Sequence, residues 1–480
     1  MLRRLPLLLS LVLALTPALV TVAAAPAAAA GDDTVLVFGD AGFAGSTSGL
    51  ALSSPPVAMA PTRSGGGYWL VAADGGIFAF GDARFLGSTG AIRLNQPIVG
   101  MAATRTGNGY WLVASDGGIF AFGDARFLGS TGALQLARPV VAMAPTASGN
   151  GYWLVAADGG VFAFGDAAFH GSAAGQRLGK PVVAMAATPD GDGYWMVGGD
   201  GVLRSFGAAA HLGDAPGANV DVSAIASSPS GQGYWLLDRA GGVFTFGDAF
   251  FAGSGSGAVA VGKVALALAP SPSGRGYWIT VSDAPLVRGA TGSSVMRLQS
   301  RLHELGYWLP VDGRFSALTT QALYALQKAA GIPRTGQFDA ATARALDERV
   351  VPAPRTTSGY VAEIDKSRQL LMLVSNGRIV GVFNTSTGNG ARYRSGSGTA
   401  IAYTPEGWFT VQRQINGMRV SELGELFRPK YFTGGYAIHG SPSIPPYPAS
   451  HGCVRVSNGA INHLWDSGSL PLGTPVFVYS

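Results

Sequence analysis

The stretch GYWLVAADGGIFAFGD, residues 67–82, decides how the first half of the chain folds. An apolar run from Tyr68 to Ala72 meets Asp74-Gly75-Gly76, which suits the positive φ angles of a tight hairpin turn, and a second apolar run follows. The unit recurs. Tyr68, Tyr110, Tyr152 and Tyr194 stand 42 positions apart, Tyr234 and Tyr277 follow at 40 and 43, and a Trp succeeds each one. A second marker, Phe-Gly-Asp-Ala, begins at Phe38, Phe80, Phe122, Phe164 and Phe246, with a decayed copy at Phe206. PVVAMAPT (139–146) supplies another strand and ARFLGS (83–88) is a candidate fourth. Each period is therefore a sheet of three or four short strands, the size of a propeller blade.

The two ends of the array are incomplete in complementary ways. Phe38 opens a marker with no Tyr-Trp before it, and the last Tyr-Trp, at Tyr277, runs into TVSDAP with no marker after it. If the N-terminal strand completes the sheet begun by the last repeat, the array closes without an exposed edge, whereas an open stack needs separate caps. The fold expected over residues 34–283 is a six-bladed β-propeller, with a β-solenoid as the alternative. The recurring Trp and Tyr residues are read as packing rather than as a sugar-binding surface. The marker aspartates at 40, 82, 124, 166 and 248 are read as turn caps rather than metal ligands. No ligand is assigned to the propeller.

Residues 1–30 read as a secretory signal peptide. Met1-Leu2-Arg3-Arg4 is a basic start, Leu5 to Val20 an apolar middle, and the Ala-rich stretch to Ala30 offers small-residue cleavage sites. An uncleaved anchor is the alternative, weakened by Pro6 and Pro17. No other stretch is long and apolar enough to span a bilayer as a helix, so contact with a membrane is expected only transiently, through the signal peptide. The roughly 450 residues that follow exceed one ordinary core, and two to four domains are expected. With 71 Gly and 13% charged residues they are turn-rich and packed rather than disordered. A formal charge of +5, without basic clusters interleaved with aromatics, argues against a nucleic-acid partner. The single cysteine excludes an internal disulfide, and an unpaired thiol outside the cytoplasm calls for a chemical reason.

After Pro285 the period changes to that of helices. Val295, Leu298 and Leu302, then Ala322, Leu323, Ala325 and Leu326, then Ala341 and Leu346 imply three of them. Thr319 and Thr320 stand near one start, with Gly331 and Pro333 at its end. LQSRLHELGYW (298–308), VDGRFSALTTQALYALQ (311–327) and GIPRTGQFDAATARAL (331–346) resemble the three-helix peptidoglycan-binding domain, with Ser316 where that family usually has Gly. The resemblance covers residues 286–348 and implies attachment to the cell wall. Residues 349–358 then read as a Pro-containing linker.

From Tyr360 short strands return, alternating apolar and polar residues around an Asn376-Gly377 turn. GWFTVQRQI (407–415) and TPVFVYS (474–480) add strands to a mostly-β domain. Within it, AIHGSPSIPPYPASHGCVRV (437–456) contains the lone Cys453. Attack of a thiol on a carbonyl needs a thiolate, a base to take its proton, and donors for the oxyanion. Cys453 is the candidate nucleophile, and its pKa has to be lowered for it to act near neutrality. His439 and His451 are the candidate bases. Gly452 permits a bent backbone that aims the N–H groups of Gly452 and Cys453 at one oxygen.

His439-Gly440 followed by Ser450-His451-Gly452-Cys453-Val454-Arg455 resembles the active-site signature of the L,D-transpeptidase family, and YTPEGWFTV (403–411) resembles its upstream Thr-Pro-x-Gly-x-Phe strand. The resemblance spans residues 359–480. It implies a β-sandwich catalytic domain acting on peptidoglycan stem peptides, in which Cys453 attacks the carbonyl of the L-centre in an L,D peptide bond. It makes His439 the base, has the Gly440 carbonyl orient that imidazole, has His451 shape the pocket, and gives Ser450 and Arg455 supporting places at the substrate. Tyr431, Phe432 and Tyr436 are taken as cleft walls. His463 sits on an expected helix and is read as packing. His170, His211 and His303 lack metal-ligand spacing, so neither a metal nor another cofactor is expected.

The expectation is a multidomain, mainly-β, secreted cell-wall enzyme whose partners are peptidoglycan stem peptides and glycan. It forms an acyl-enzyme on Cys453 and passes it to an amine. Two rivals stand beside it: a hydrolase using the same thiol with water as acceptor, and a catalytically idle wall-binding scaffold.

Overall fold

The computed structural model describes residues 34–480 apart from 216, 218, 219, 285, 396, 397 and 422. The signal peptide expected over 1–30 lies outside the described residues. Among the described residues no helix is long and apolar enough to cross a membrane.

The repeats form a series of three-stranded antiparallel sheets, six among the described residues. In the first complete unit, Pro56–Pro61, Gly67–Ala72 and Ile77–Gly81 lie side by side in chain order. The middle strand is wholly buried. Gly75 turns the hairpin at φ +79°, a left-handed conformation that costs glycine nothing, and Asp74 accepts from the Gly76 N–H at 2.9 Å. The repeated Tyr and Trp are at most 1% exposed, which makes them core.

Each of these rings has a polar end that needs a partner once buried. Trp111 Nε1 donates to Arg126 O at 2.8 Å within its own unit. Tyr110 Oη donates to Gly87 O at 2.6 Å and accepts from the Leu86 N–H at 3.1 Å in the preceding unit. These bonds explain why residues 83–88 are not a fourth strand. Their backbone groups are taken by aromatic side chains of two units, and Gly87, at φ +134°, lies where a Cβ would meet the Phe122 ring at 2.4 Å. The marker aspartates hold turns: Asp82 accepts from Ser64 Oγ and from Thr62 Oγ1 at 2.7 Å, hydroxyls that keep its carboxyl below the usual carboxylate range.

The last sheet is completed from the front of the array. Val35–Phe38 pairs antiparallel with Tyr277–Asp283, Phe38 opposite Tyr277, and Asp40 accepts from Ser271 Oγ at 2.7 Å. The first strands of successive sheets pack on one another along the series, and Lys263–Pro270 of the last sheet packs on Pro56–Pro61 of the first.

Helices α1 (Ser293–Glu304), α2 (Ala317–Ala330) and α3 (Ala340–Asp347) follow. Ser316 begins α2 through a capping box: its Oγ accepts from the Leu318 N–H at 3.1 Å, while Thr319 Oγ1 accepts from the Ser316 N–H at 3.3 Å. Gln299 and Gln327 occupy the same place in the two halves of this module. Both are buried, and each accepts from turn backbone, Gln299 from Gly313 at 2.8 Å and Gln327 from Gly336 at 2.9 Å.

Residues 349–358, read from the sequence as a linker after this module, form no helix or strand, yet the module packs directly on the domain that follows. Leu298, Leu302, Leu323 and Leu326 share one core with Leu370, Met372, Val374 and Val382 of the following domain. The expected linker is fastened along its length. Tyr307 Oη donates to Val350 O at 2.9 Å, and the buried Glu363 carboxylate accepts from the Arg355 N–H, from the Thr356 N–H and hydroxyl, and from Tyr479 Oη at 2.5 to 3.1 Å. A carboxylate that satisfies four donors from two other segments fixes all three together.

Two larger sheets build the C-terminal part, beside a two-stranded hairpin of Arg392–Ser395 and Gly398–Ile401. One runs in the order Arg378–Asn384, Leu370–Ser375, Tyr360–Asp365, Pro475–Tyr479, Gly407–Thr410. The other runs Arg413–Gln414, Gly424–Thr433, Tyr436–Ser441, Val454–Ser457, with Met418–Ser421 on its flank. Ile364, Leu371 and Phe383 from the first meet Phe432, Ile438 and Val456 from the second in one core. Helix α4 (Asn458–Asp466), capped by Ser457 Oγ, packs beneath the Tyr436–Ser441 strand. His463 on α4 stacks on Trp308 at 5.2 Å, a packing role.

Candidate active site

His439 and Cys453 reach one cavity because of a parallel strand pair. Tyr436–Ser441 and Val454–Ser457 run side by side with His439 opposite Arg455, and Cys453 immediately precedes the second strand. The cavity, of about 680 Å³, is lined by His439, Ser450, His451, Cys453 and Arg455 together with Tyr431 and Tyr436. Phe432 is not among them. It is fully buried in the core between the sheets, because successive side chains of a strand point to opposite faces, and only one of Tyr431 and Phe432 can face the cleft.

His439 is 4% exposed, and its Nδ1 lies 2.9 Å from Gly440 O. A carbonyl only accepts, so Nδ1 carries the proton. Burial pushes the imidazole pKa down to about 4, with the Gly440 carbonyl opposing and the Arg455 charge assisting. At neutral pH the ring is therefore uncharged, and Nε2 keeps a lone pair that can take a proton. Gly440 has no room for a side chain: a Cβ would meet Ile461 of α4 at 2.6 Å.

Cys453 is partly exposed, and its Sγ lies 3.8 Å from Gly435 O, which the thiol hydrogen reaches. Burial pushes its pKa up, opposed by a backbone hydrogen bond at Ala437 and by the Arg455 charge. The resting site is thus a neutral thiol beside a neutral imidazole, not the lowered thiol expected from the sequence. Arg455 favours the thiolate and disfavours the imidazolium, so its charge acts on both ends of the proton transfer.

The turn that carries Cys453 is held from several sides. The Gly452 N–H donates to Ser450 Oγ at 3.0 Å, and Ser450 Oγ donates to Cys453 O at 2.5 Å. The Gly452 N–H, expected to serve the oxyanion, is therefore already taken by Ser450 Oγ. Thr404, from the Thr-Pro segment, donates to Gly452 O at 2.7 Å and accepts from the Gly388 N–H at 2.9 Å. Gly452 itself takes φ +135°, and a Cβ there would lie 2.6 Å from the Tyr436 ring and 2.8 Å from Tyr403 O. His451 is exposed and packs against Tyr393, ring centroids 4.7 Å apart.

Sequence reading missed Arg413, Arg419 and Glu425 on the cavity wall, with Arg413 lying over the Tyr431 ring at 4.0 Å. They fall in a stretch without a motif. Thr404 did have a signal, the Thr-Pro segment, but no role could be read from it. Among the described residues no group of three or more His, Cys, Asp or Glu is placed to hold a metal ion.

Comparison with known proteins places these parts. Residues 359–478 match the L,D-transpeptidase catalytic domain, and residues 291–346 match a peptidoglycan-binding domain. The crystal structure of an L,D-transpeptidase from Xylanimonas cellulosilytica is 52% identical, covering 40% of this chain and 96% of that one, with a TM-score of 0.39. An L,D-transpeptidase from Stackebrandtia nassauensis is 22% identical over 40% of this chain and 94% of its own, with a TM-score of 0.25. Among curated proteins, an N-acetylmuramoyl-L-alanine amidase from Bacillus licheniformis is 47% identical over 64 residues. That match is 13% of this chain and spans only 18% of the amidase.

Proposed function

Through residues 359–478 the chain belongs to the L,D-transpeptidase family, and with a peptidoglycan-binding domain ahead of that part we propose that it is a secreted cell-wall enzyme that cross-links stem peptides by way of an acyl-enzyme on Cys453. The observation that carries this reading is that the chain's one thiol lines the same cavity as a neutral imidazole whose Nδ1 proton is committed to Gly440 O.

The reaction divides into two transfers. Cys453 Sγ attacks the carbonyl carbon of the L-centre as its proton passes to His439 Nε2, and the oxyanion draws on the Cys453 N–H. The C–N bond to the terminal D-residue breaks, its amine leaves with the proton from His439, and a thioester remains. An acceptor amine then attacks the thioester, His439 takes its proton, and the thiolate leaves to be reprotonated. Arg413, Arg419 and Arg455 around the cavity favour a donor rich in carboxylates.

Residues 286–348 would hold the enzyme on the glycan. The completion of the last sheet by Val35–Phe38, and the packing of the last sheet on the first, support a closed six-bladed propeller over residues 34–283 that adds a further binding surface. Product analysis with tetrapeptide muropeptides tests the reading. A cross-linked dimer supports transfer, a shortened monomer makes the enzyme a hydrolase, and unchanged turnover by Cys453→Ala rejects the thiol altogether.

A further inference from the structure

Lys328 is an unusual residue to find where it is. It stands on the last turn of α2 in the helical module, 2% exposed, and its side chain crosses into the catalytic domain. There Nζ donates to Gln369 O at 2.9 Å, Asn384 Oδ1 at 2.5 Å and Thr385 O at 3.0 Å. All three partners are acceptors, matching the three hydrogens of an ammonium, and no carboxylate is among them. Burial without a counter-ion pulls the Lys328 pKa down to about 6, so the side chain is held in place by its complete set of hydrogen bonds and not by an ion pair.

What those acceptors do next gives the residue its meaning. Gln369, at φ +62°, bonds Thr387 twice through its side chain, accepting from the Thr387 N–H at 2.8 Å and donating to its hydroxyl at 2.7 Å. Thr387 O accepts from the N–H groups of Ala449 and Ser450 at 3.1 and 2.9 Å. Ser450 Oγ binds the Cys453 carbonyl. On the other branch, Thr385 Oγ1 donates to Arg455 O at 2.7 Å, and Ser386 exchanges both backbone hydrogen bonds with Arg455. Asn384 also donates to Gln321 Oε1 of α2 at 2.5 Å. The routes through Gln369 and Thr385 end on the backbone that aims Cys453 or Arg455, while the one through Asn384 returns to Gln321 of α2.

We infer that Lys328 is a positioning residue of the active site, by which the helical module sets the aim of the Cys453 turn. The module is then a structural part of the catalytic centre as well as a tether. This rests on Cys453 and His439 being nucleophile and base, and it goes beyond that reading in making activity depend on a side chain from another domain.

The chain's single thiol allows a test that needs no substrate. The rate of Cys453 alkylation by iodoacetamide is measured in the full chain for wild type, Lys328→Met, Asn384→Ala and Tyr307→Phe, beside melting temperature and, with tetrapeptide muropeptides, kcat and KM. Lys328→Met is expected to change the alkylation rate at least about threefold and to lower kcat by roughly 10- to 100-fold, with KM within about threefold, since misplacement by about 1 Å is enough for that loss. Asn384→Ala, which keeps two of the three acceptors, is expected to move both rates in the same direction by less, and it decides the matter if Lys328→Met does not fold. Tyr307→Phe removes a buried interface hydrogen bond away from the turn and is expected to lower the melting temperature with both rates within about twofold of wild type. Alkylation and kcat unchanged within twofold in folded Lys328→Met, or in Asn384→Ala should that variant be the deciding one, overturn the inference. If wild type has no activity on muropeptides, the transpeptidase reading fails while the alkylation comparison still decides the placement claim.

Discussion

Replacing Gly452 by Ala is the sharpest perturbation of the candidate site that leaves every functional group in place. The new methyl would sit 2.6 Å from Tyr436 Cε1 and 2.8 Å from Tyr403 O, where ordinary contacts are about 3.5 Å, so something must give by roughly 0.7–0.9 Å. The Tyr436 ring can turn aside. Tyr403 O is backbone, and its neighbour Thr404 is bonded to both Gly452 O and the Gly388 N–H, so the turn itself has to open. Holding φ near +135° with a side chain adds about 1–3 kcal/mol of strain. A shift approaching 1 Å at Cys453 is expected to lower kcat for dimer formation about 100-fold, with the catalytic domain less stable by about 1–3 kcal/mol. Gly468→Ala is the matched control, because Gly468 has φ +66° but open space around it. It should cost about 1 kcal/mol of stability and no activity. Should Gly452→Ala keep kcat within twofold of wild type, the close packing at this turn has no bearing on catalysis and the reasoning fails.

Three further outcomes follow from the site and the repeats. Because burial raises the Cys453 pKa and keeps His439 neutral, the alkylation rate of Cys453 should rise only on the alkaline side, with less thiolate at pH 7 than the few per cent of an ordinary thiol with a pKa of about 8.5; an inflection below pH 7 would point instead to a preformed thiolate–imidazolium pair. His439, with its folded pKa near 4 against about 6.5 unfolded, contributes on the order of 3 kcal/mol that is complete above pH 6.5 and lost as the pH falls towards 4. Catalytic-domain melts at pH 7 and pH 4.5 should therefore differ less in His439→Gln than in wild type, and equal differences would refute this. Tyr110→Phe removes the hydroxyl that takes Gly87 O and the Leu86 N–H, and the repeat array should lose about 1–3 kcal/mol in denaturant unfolding while transfer activity is unaffected.

Much of the architecture was legible because a repeat shows its packing in every copy. The Tyr-Trp pairs are buried in each unit for the reason their recurrence implied, and the unpaired Phe38 marker does complete the sheet of Tyr277. The segment ARFLGS misled because its apolar residues suit a strand, while its backbone partners are side chains of its own unit and the next, Trp69 and Tyr110, which no local pattern reveals. Phe432 was misplaced for an avoidable reason: a strand's period of two forbids Tyr431 and Phe432 from sharing a face. How the expected linker is fastened was not legible, because Pro and Thr look flexible locally, whereas the Glu363 carboxylate and the Tyr307 hydroxyl bind that stretch. That Cys453, His439, Ser450 and Arg455 would come together in one cavity was readable because they lie close together in the chain. Their electrostatics were not, since burial rather than charge neighbours sets both pKa directions.

Mass spectrometry of the chain lacking residues 1–30, stopped during incubation with a tetrapeptide donor, reaches the chemistry most directly. The account predicts an adduct on Cys453 equal to the donor less its terminal D-residue, abolished in Cys453→Ala and slow to form in His439→Gln. Release of that D-residue at an undiminished rate by Cys453→Ala, or an adduct on any other side chain, would contradict it.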